Sequence, residues 1–206
     1  MQNSTSKVRV LTGTAMLGAV AAVLMYLEFP IPIMPAFVKL DVSELPALIA
    51  SFAYGPVSGI LVCLIKNLIK LPSTSTAAVG ELFNFVMGAL FVGVAGFVYK
   101  RSKTRRSALI GAGLGALAMA VVSVPYNYFI VYPAYVVMYH LPLDAIIGMY
   151  QAINPNVNGL LNCLLVFNLP FTFFKGMLDD WTDEIAQGLA GMGKFFRQLV
   201  HNPPTV

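Results

Sequence analysis

The chain has 206 residues, of which 58% are hydrophobic and 11% charged, with a net charge of +4 and a mean hydropathy of +0.76. An ordinary soluble domain carries roughly 25% charged residues, and a water-soluble fold of this length cannot hide so much apolar surface. Composition therefore excludes a soluble enzyme and predicts an all-α integral membrane protein covered by lipid.

The first apolar run, 8–28, follows Lys7 and overlaps Arg9. It exceeds the roughly 7–15 apolar residues of a secretory signal, and no convincing small-residue cleavage site follows, so it reads as a retained first helix. Ala15 with Ala19 and Gly18 with Ala22 form small-xxx-small pairs on it. Such a face admits a second helix at short distance, from the same chain or from a partner. Three prolines in Phe29-Pro30-Ile31-Pro32-Ile33-Met34-Pro35 cannot donate backbone hydrogen bonds. The 29–43 segment is therefore expected to be a stiff, extended flap carrying Lys39 and Asp41, with Ser43 or its neighbourhood capping the next helix.

Two short runs, 44–54 and 56–70, meet at Gly55-Pro56. At ~1.5 Å per residue neither is expected to cross a ~30 Å hydrocarbon core, so both must shelter among neighbours or line a wet hollow. A fourth run, 78–99, carries Glu81 and Asn84 on one face at i, i+3, suited either to capping and packing or to a ligand. Lys100, Arg101, Lys103, Arg105 and Arg106 then fall between two lipid-length segments. That placement reads as a cytoplasmic loop and not as a nucleic-acid patch.

In the fifth run, 107–138, Gly111, Gly115, Ala112, Ala116 and Ala120 repeat the small-residue spacing. The stretch Gly111-Ala112-Gly113-Leu114-Gly115-Ala116 mimics a dinucleotide fingerprint, but no strand precedes it. Asn127 in this run both donates and accepts, which suits the edge of an amide-bearing ring or an interhelical bond. The sixth run, 157–178, holds Lys175 with Thr172 three residues earlier on the same face. An ammonium at membrane depth needs a carboxylate, carbonyls or a ligand acceptor, unless it snorkels to an interface.

Six transmembrane helices result, two of them short, with the N-terminus and the 100–106 loop inside and the connections 29–43, 71–77 and 139–156 outside. Cys63 and Cys163 sit in apolar runs and read as small core residues. Neither His140 nor His201 has partners at metal-ligand or catalytic spacing, and no Walker A sequence is present. No catalytic residue, metal or cofactor is expected. Beyond 178 the pattern changes: Asp179, Asp180, Asp183 and Glu184 share one side of a helical wheel, with Trp181, Ile185, Leu189 and Met192 opposite. Residues 1–178 are thus expected to form the membrane domain, and 179–206 an acidic amphipathic segment that continues the sixth helix or lies at the interface.

Several short motifs occur in a telling order: Phe29-Pro30-Ile31-Pro32, Val38-Lys39-Leu40-Asp41-Val42-Ser43-Glu44-Leu45-Pro46-Ala47, Tyr54-Gly55-Pro56, Ile65-Lys66-Asn67, Asn84-Phe85, Asn127-Tyr128, Tyr132-Pro133-Ala134-Tyr135 and Leu169-Pro170-Phe171 with Lys175-Gly176. With them the chain resembles, from about residue 8 to 178, the riboflavin-binding S components of energy-coupling factor (ECF) vitamin transporters. The resemblance implies a six-helix S-component bundle in a bacterial cell membrane that captures riboflavin from outside, its first loop acting as a lid. It also implies docking on a transmembrane coupling subunit driven by two cytosolic ATPases, with Ala15 and Ala19 on the docking face. The family's ring-binding asparagine maps onto Asn127 and its lysine onto Lys175; Thr172 stands where the family often has asparagine. On this reading Phe83 and Tyr128 stack against the flavin, and the flap around Leu40 and Asp41 covers the ribityl chain. Riboflavin would be cargo, not cofactor. The alternatives are an S component for another small vitamin such as pantothenate, or a stand-alone secondary carrier or channel, for which no inverted repeat is visible.

Overall fold

A computed structural model of the chain describes residues 2–32, 34–35, 38–74, 78–140 and 142–178. The acidic segment 179–206 lies outside the described residues. Helix α1 (Gln2–Tyr26) leads into a two-residue antiparallel ribbon of β1 (Phe29–Pro30) and β2 (Lys39–Leu40), in which Phe29 opposes Leu40 and Pro30 opposes Lys39. The expected flap is therefore pinned at its base by this ribbon.

Helices α2 (Glu44–Tyr54) and α3 (Pro56–Lys70) follow with the boundaries the sequence predicts. Gly55 links them at φ 106°, a backbone conformation that a side chain would strain, and Pro56 opens α3 at its first turn, where its missing N–H costs nothing. Ser43 stands at the head of α2, but its hydroxyl makes no capping bond. It donates instead to Asp41 Oδ1 and accepts from Lys66 Nζ. A 3-10 turn, Leu71–Ser73, prolongs α3, so that Pro56–Ser73 is long and apolar enough to cross a membrane, contrary to the expectation that both short helices fall short.

Of these two short helices, α2 remains a partial crossing, because it starts deep in the bundle. A Cβ added at Gly88, ten residues into α4 (Val79–Ser102), would stand 2.7 Å from Glu44 Oε2, so the first residue of α2 sits about halfway along α4. Helix α4 ends in a left-handed Lys103, whose N–H bonds the Tyr99 carbonyl at 2.8 Å. Thr104 then caps α5 (Arg105–Tyr126) by accepting from the Ser107 N–H at 3.2 Å.

Two further spans share one device. Helix α5 passes through a π turn, Asn127–Val131, into α6 (Tyr132–Tyr139), and α8 (Leu160–Cys163) passes through a second, Leu164–Asn168, and runs on to Leu178. Pro133 follows the first turn and Pro170 the second. Each proline lacks the N–H that would bond the carbonyl four residues back, at Phe129 and Val166, and the backbone relaxes by widening there. Between these spans lies α7 (Leu143–Gln151), an additional short helix within the 139–156 connection.

Helix α3 packs on α1, α2 and α4, and α4 lies along α5. The second small-residue stripe serves this last contact: a Cβ at Gly115 would stand 2.6 Å from the Phe91 carbonyl oxygen, and one at Gly111 2.7 Å from that of Ala95. On α1 the small residues divide. Gly18 and Ala22 are buried, Gly18 against Ile65, which assigns them to packing inside the chain and removes them from the expected docking face. Ala15 and Ala19 remain exposed. Cys63 and Cys163 are both fully buried in the core.

Candidate functional site

A cavity of about 180 Å³ opens in the end of the bundle opposite the basic 100–106 loop. Gly80 and Glu81, at the start of α4, lie on its rim, whereas the basic residues stand at the other end of that helix. Met25, Phe83, Met87, Met119, Val131 and Phe171 give it an apolar and aromatic wall, with Asn84, Asn127, Asn168 and Thr172 set among them, and the charged side chains of Glu28, Lys39, Asp41, Glu44, Lys70, Glu81 and Lys175 complete the lining.

Each polar group has a structural reason for its place. Asn127 opens the first π turn, and its amide N–H donates to the Ser123 carbonyl at 2.8 Å, which turns the amide against the helix and fixes it. Asn168 closes the second π turn. Thr172 and Lys175 follow one and two turns later on the same face. Lys175 reaches across to the flap, where its Nζ lies 2.9 Å from Asp41 Oδ2. It is thus enclosed, not snorkelling.

Beneath that pair runs a buried ionic chain. Lys66 Nζ is 2.7 Å from Glu44 Oε1 and donates to Ser43 Oγ at 2.6 Å, and Ser43 in turn donates to Asp41. Lys66 and Glu44 are 0% and 1% exposed, so removing either would leave its partner buried without a counter-ion. Burial alone would push the Asp41 carboxyl up; the ammonium groups of Lys175 and Lys66, with hydrogen bonds from Ser43 and Lys175, outweigh it and hold the carboxyl well below the usual carboxylate range. At the rim, Glu28 bridges Lys39 at 2.7 Å and Lys70 at 3.2 Å. There too burial opposes ionisation, yet hydrogen bonds from the two lysines prevail and the Glu28 carboxyl is lowered.

Of the residues singled out in the sequence, Lys39, Asp41, Glu81, Phe83, Asn84, Asn127, Thr172 and Lys175 all line this cavity. Two do not. Leu40 is buried, but it points away from the cavity that its strand neighbour Lys39 lines, as alternation along a strand requires. Tyr128, the next residue of the π turn, lies on a different side of the helix from Asn127; it is 40% exposed and packs edge-on against Phe129. The aromatic groups facing the cavity from that helix are Tyr132 and Tyr135.

Glu28, Glu44, Lys66, Lys70, Tyr132, Asn168 and Phe171 were not anticipated. Lys66 and Lys70 were detectable, because the rule that drew attention to Lys175, an ionisable group inside an apolar run, applies equally to them. Asn168 was hidden by a register change: the π turn inserts its extra residue just there. Among the described residues no cluster of histidine, cysteine and carboxylate side chains is placed to hold a metal ion.

This arrangement defines a multi-pass membrane protein with a cavity for a small molecule among its helices, lined on one side by Val38, Lys39 and Asp41. The model of the family "ECF transporter, substrate-specific component" matches residues 9–179. The riboflavin transporter RibU of Staphylococcus aureus (strain TCH60) is 37% identical over 164 residues, covering 80% of each chain. The riboflavin transporter FmnP of Bacillus subtilis (strain 168) is 34% identical over 175 residues, covering 84% of this chain and 86% of its own. A solved S component of a bacterial ECF transporter superposes with a TM-score of 0.70 at 30% identity, over 94% of this chain and 99% of that one. The chain belongs to the substrate-specific components of ECF transporters. It is a transport subunit of the cell membrane and not an enzyme.

Proposed function

We propose that this protein captures riboflavin from outside the cell and delivers it, as the substrate-specific component of an ECF importer, to a transmembrane coupling subunit driven by two cytosolic ATPases. The observation that carries the reading is the convergence of Asn127, Thr172 and Lys175 on an apolar, aromatic cavity beneath the Asp41 flap. A flat ring with an imide edge matches apolar walls that carry a few fixed donors and acceptors.

Charge balance separates riboflavin from the acidic vitamin alternatives. The lysines in and around the cavity are already matched by carboxylates: Lys39 and Lys70 by Glu28, Lys66 by Glu44 and Lys175 by Asp41. Lysines already paired in this way favour a neutral ligand over an anionic one such as pantothenate, whose carboxylate would have to compete with Glu28 or Asp41 for its cation. The basic 100–106 loop, at the end of the bundle away from the cavity, supports a cytoplasmic N-terminus and a cavity open to the outside.

The test is direct. Protein purified in detergent should carry a flavin absorption spectrum or acquire one on addition of riboflavin, and should quench its fluorescence at one equivalent. Lys175→Ala and Asn127→Ala should each weaken binding at least tenfold. A colourless protein whose spectrum and fluorescence ignore added riboflavin would remove the proposal.

A further inference from the structure

Behind the cavity wall, three buried polar groups from three elements close a ring. Tyr132, from α6, lies with its hydroxyl 2.5 Å from that of Tyr150, from α7. Tyr150 donates to Asn168 Oδ1 at 2.7 Å, and Asn168 Nδ2 approaches the Tyr132 hydroxyl at 3.5 Å. The three residues are 1%, 0% and 7% exposed. Tyr132 and Asn168 line the cavity, whereas Tyr150 stands outside it.

Proton counting fixes the direction of the ring. A phenol has one proton. Because Tyr150 gives its own to the Asn168 carbonyl oxygen, the Tyr132 hydroxyl must be the donor to Tyr150. The Asn168 amide is then held by its oxygen, which points away from any ligand. Its nitrogen carries two N–H groups, of which Tyr132 takes one. The remaining N–H is the group Asn168 can offer the cavity, as a donor and not an acceptor.

We infer that Tyr150 is a positioning residue for substrate: from outside the cavity it locks the rotation of the Asn168 amide, so that the cavity presents a hydrogen-bond donor there to a carbonyl or hydroxyl oxygen of the ligand. This rests on the riboflavin reading and extends it, because it gives α7 a role in binding although its tyrosine touches no ligand. Without the Tyr150 hydroxyl the amide oxygen is no longer held, and Tyr132, left without its acceptor, draws that oxygen to itself, so that the ligand meets a carbonyl in place of the N–H.

The experiment is a double-mutant cycle on riboflavin affinity with Tyr150→Phe and Asn168→Ala, read by fluorescence titration in detergent and in native membranes, so that a variant stable only in lipid still reports. Tyr150→Phe should weaken binding about tenfold in the unmodified protein, the scale of one hydrogen bond. In the Asn168→Ala background it should weaken binding less than twofold, and the visible absorption band of flavin bound to Tyr150→Phe should match that of Asn168→Ala. A structural role alone would give losses that add and a band like that of the unmodified protein. Unchanged affinity in Tyr150→Phe, or a tenfold loss that persists without Asn168, would overturn the inference while leaving the transport reading intact. Failure of the unmodified protein to bind riboflavin would instead remove the reading on which it stands.

Discussion

Asp41 and Lys175 are 134 positions apart in sequence and 2.9 Å apart in space, and their ion pair ties the flap to the final membrane span. The pair is enclosed, with side chains 6% and 13% exposed, so removing one partner strands a charge that little water can reach. Breaking a buried pair costs roughly 3 kcal/mol, whereas replacing both partners by neutral groups costs much less. Lys175→Met and Asp41→Asn should each lower the melting temperature of the ligand-free protein. The double variant should recover much of that loss. Differential scanning fluorimetry on the three proteins checks this, and additive losses would show that the two side chains do not depend on one another.

The same pair dictates a pH response. The Asp41 carboxyl is lowered in the folded protein, so its contribution to stability is fully present above its unfolded pKa of about 3.9 and is lost only as the pH falls through the folded value beneath it. The difference in melting temperature between the unmodified protein and Asp41→Asn should therefore stay constant from pH 8 to pH 5 and shrink only in stronger acid. A difference that disappears between pH 7 and pH 5 would mean that the lysines do not hold the carboxyl ionised.

Much of this architecture was legible because lipid imposes simple rules. Lengths of apolar runs marked the long spans, though not that of α3, which a 3-10 turn extends, and the Gly55-Pro56 break marked the boundary between α2 and α3 to the residue. Lys175 was visible because a charge in an apolar run demands a partner. The partner itself was not, since nothing local links residue 41 to residue 175. Tyr128 failed for a different reason: proximity to Asn127 in sequence is not proximity on a helix face, and the adjoining π turn shifts the face that follows, bringing Tyr132 and Tyr135 to the cavity. Helix α7 escaped notice because nine residues between turn signals carry too short a pattern to distinguish from a loop.

The divided surface of α1 separates transport from binding. Ala15 and Ala19 are exposed on that helix, whereas Gly18 is buried where a Cβ would stand 2.9 Å from Ile65 Cγ2. Ala15→Trp or Ala19→Trp should leave riboflavin affinity within about twofold while reducing uptake in cells at least tenfold, because an indole there blocks the close approach of a partner helix. Gly18→Val should behave in the opposite sense, lowering the melting temperature by forcing α1 away from α3. Normal uptake by both tryptophan variants would make the exposed alanines a lipid-facing surface and nothing more.

Proline sets the register of the cavity wall. Pro170 removes the N–H that would bond the Val166 carbonyl, and the π turn at Leu164–Asn168 absorbs the vacancy and aims Asn168 at the cavity. An alanine at 170 supplies the missing donor, so the turn can tighten to regular α-helix and rotate Asn168 away from its bond with Tyr150. Pro170→Ala should keep or raise the melting temperature, since proline in a helix interior disfavours it by about 3 kcal/mol, yet weaken riboflavin about tenfold. Pro133→Ala should act likewise through Asn127. Calorimetry paired with fluorescence titration reads both quantities on one sample. If stability and affinity fall together, the prolines serve packing alone; a gain in stability with a loss of affinity would show that the widened turns are kept for the ligand.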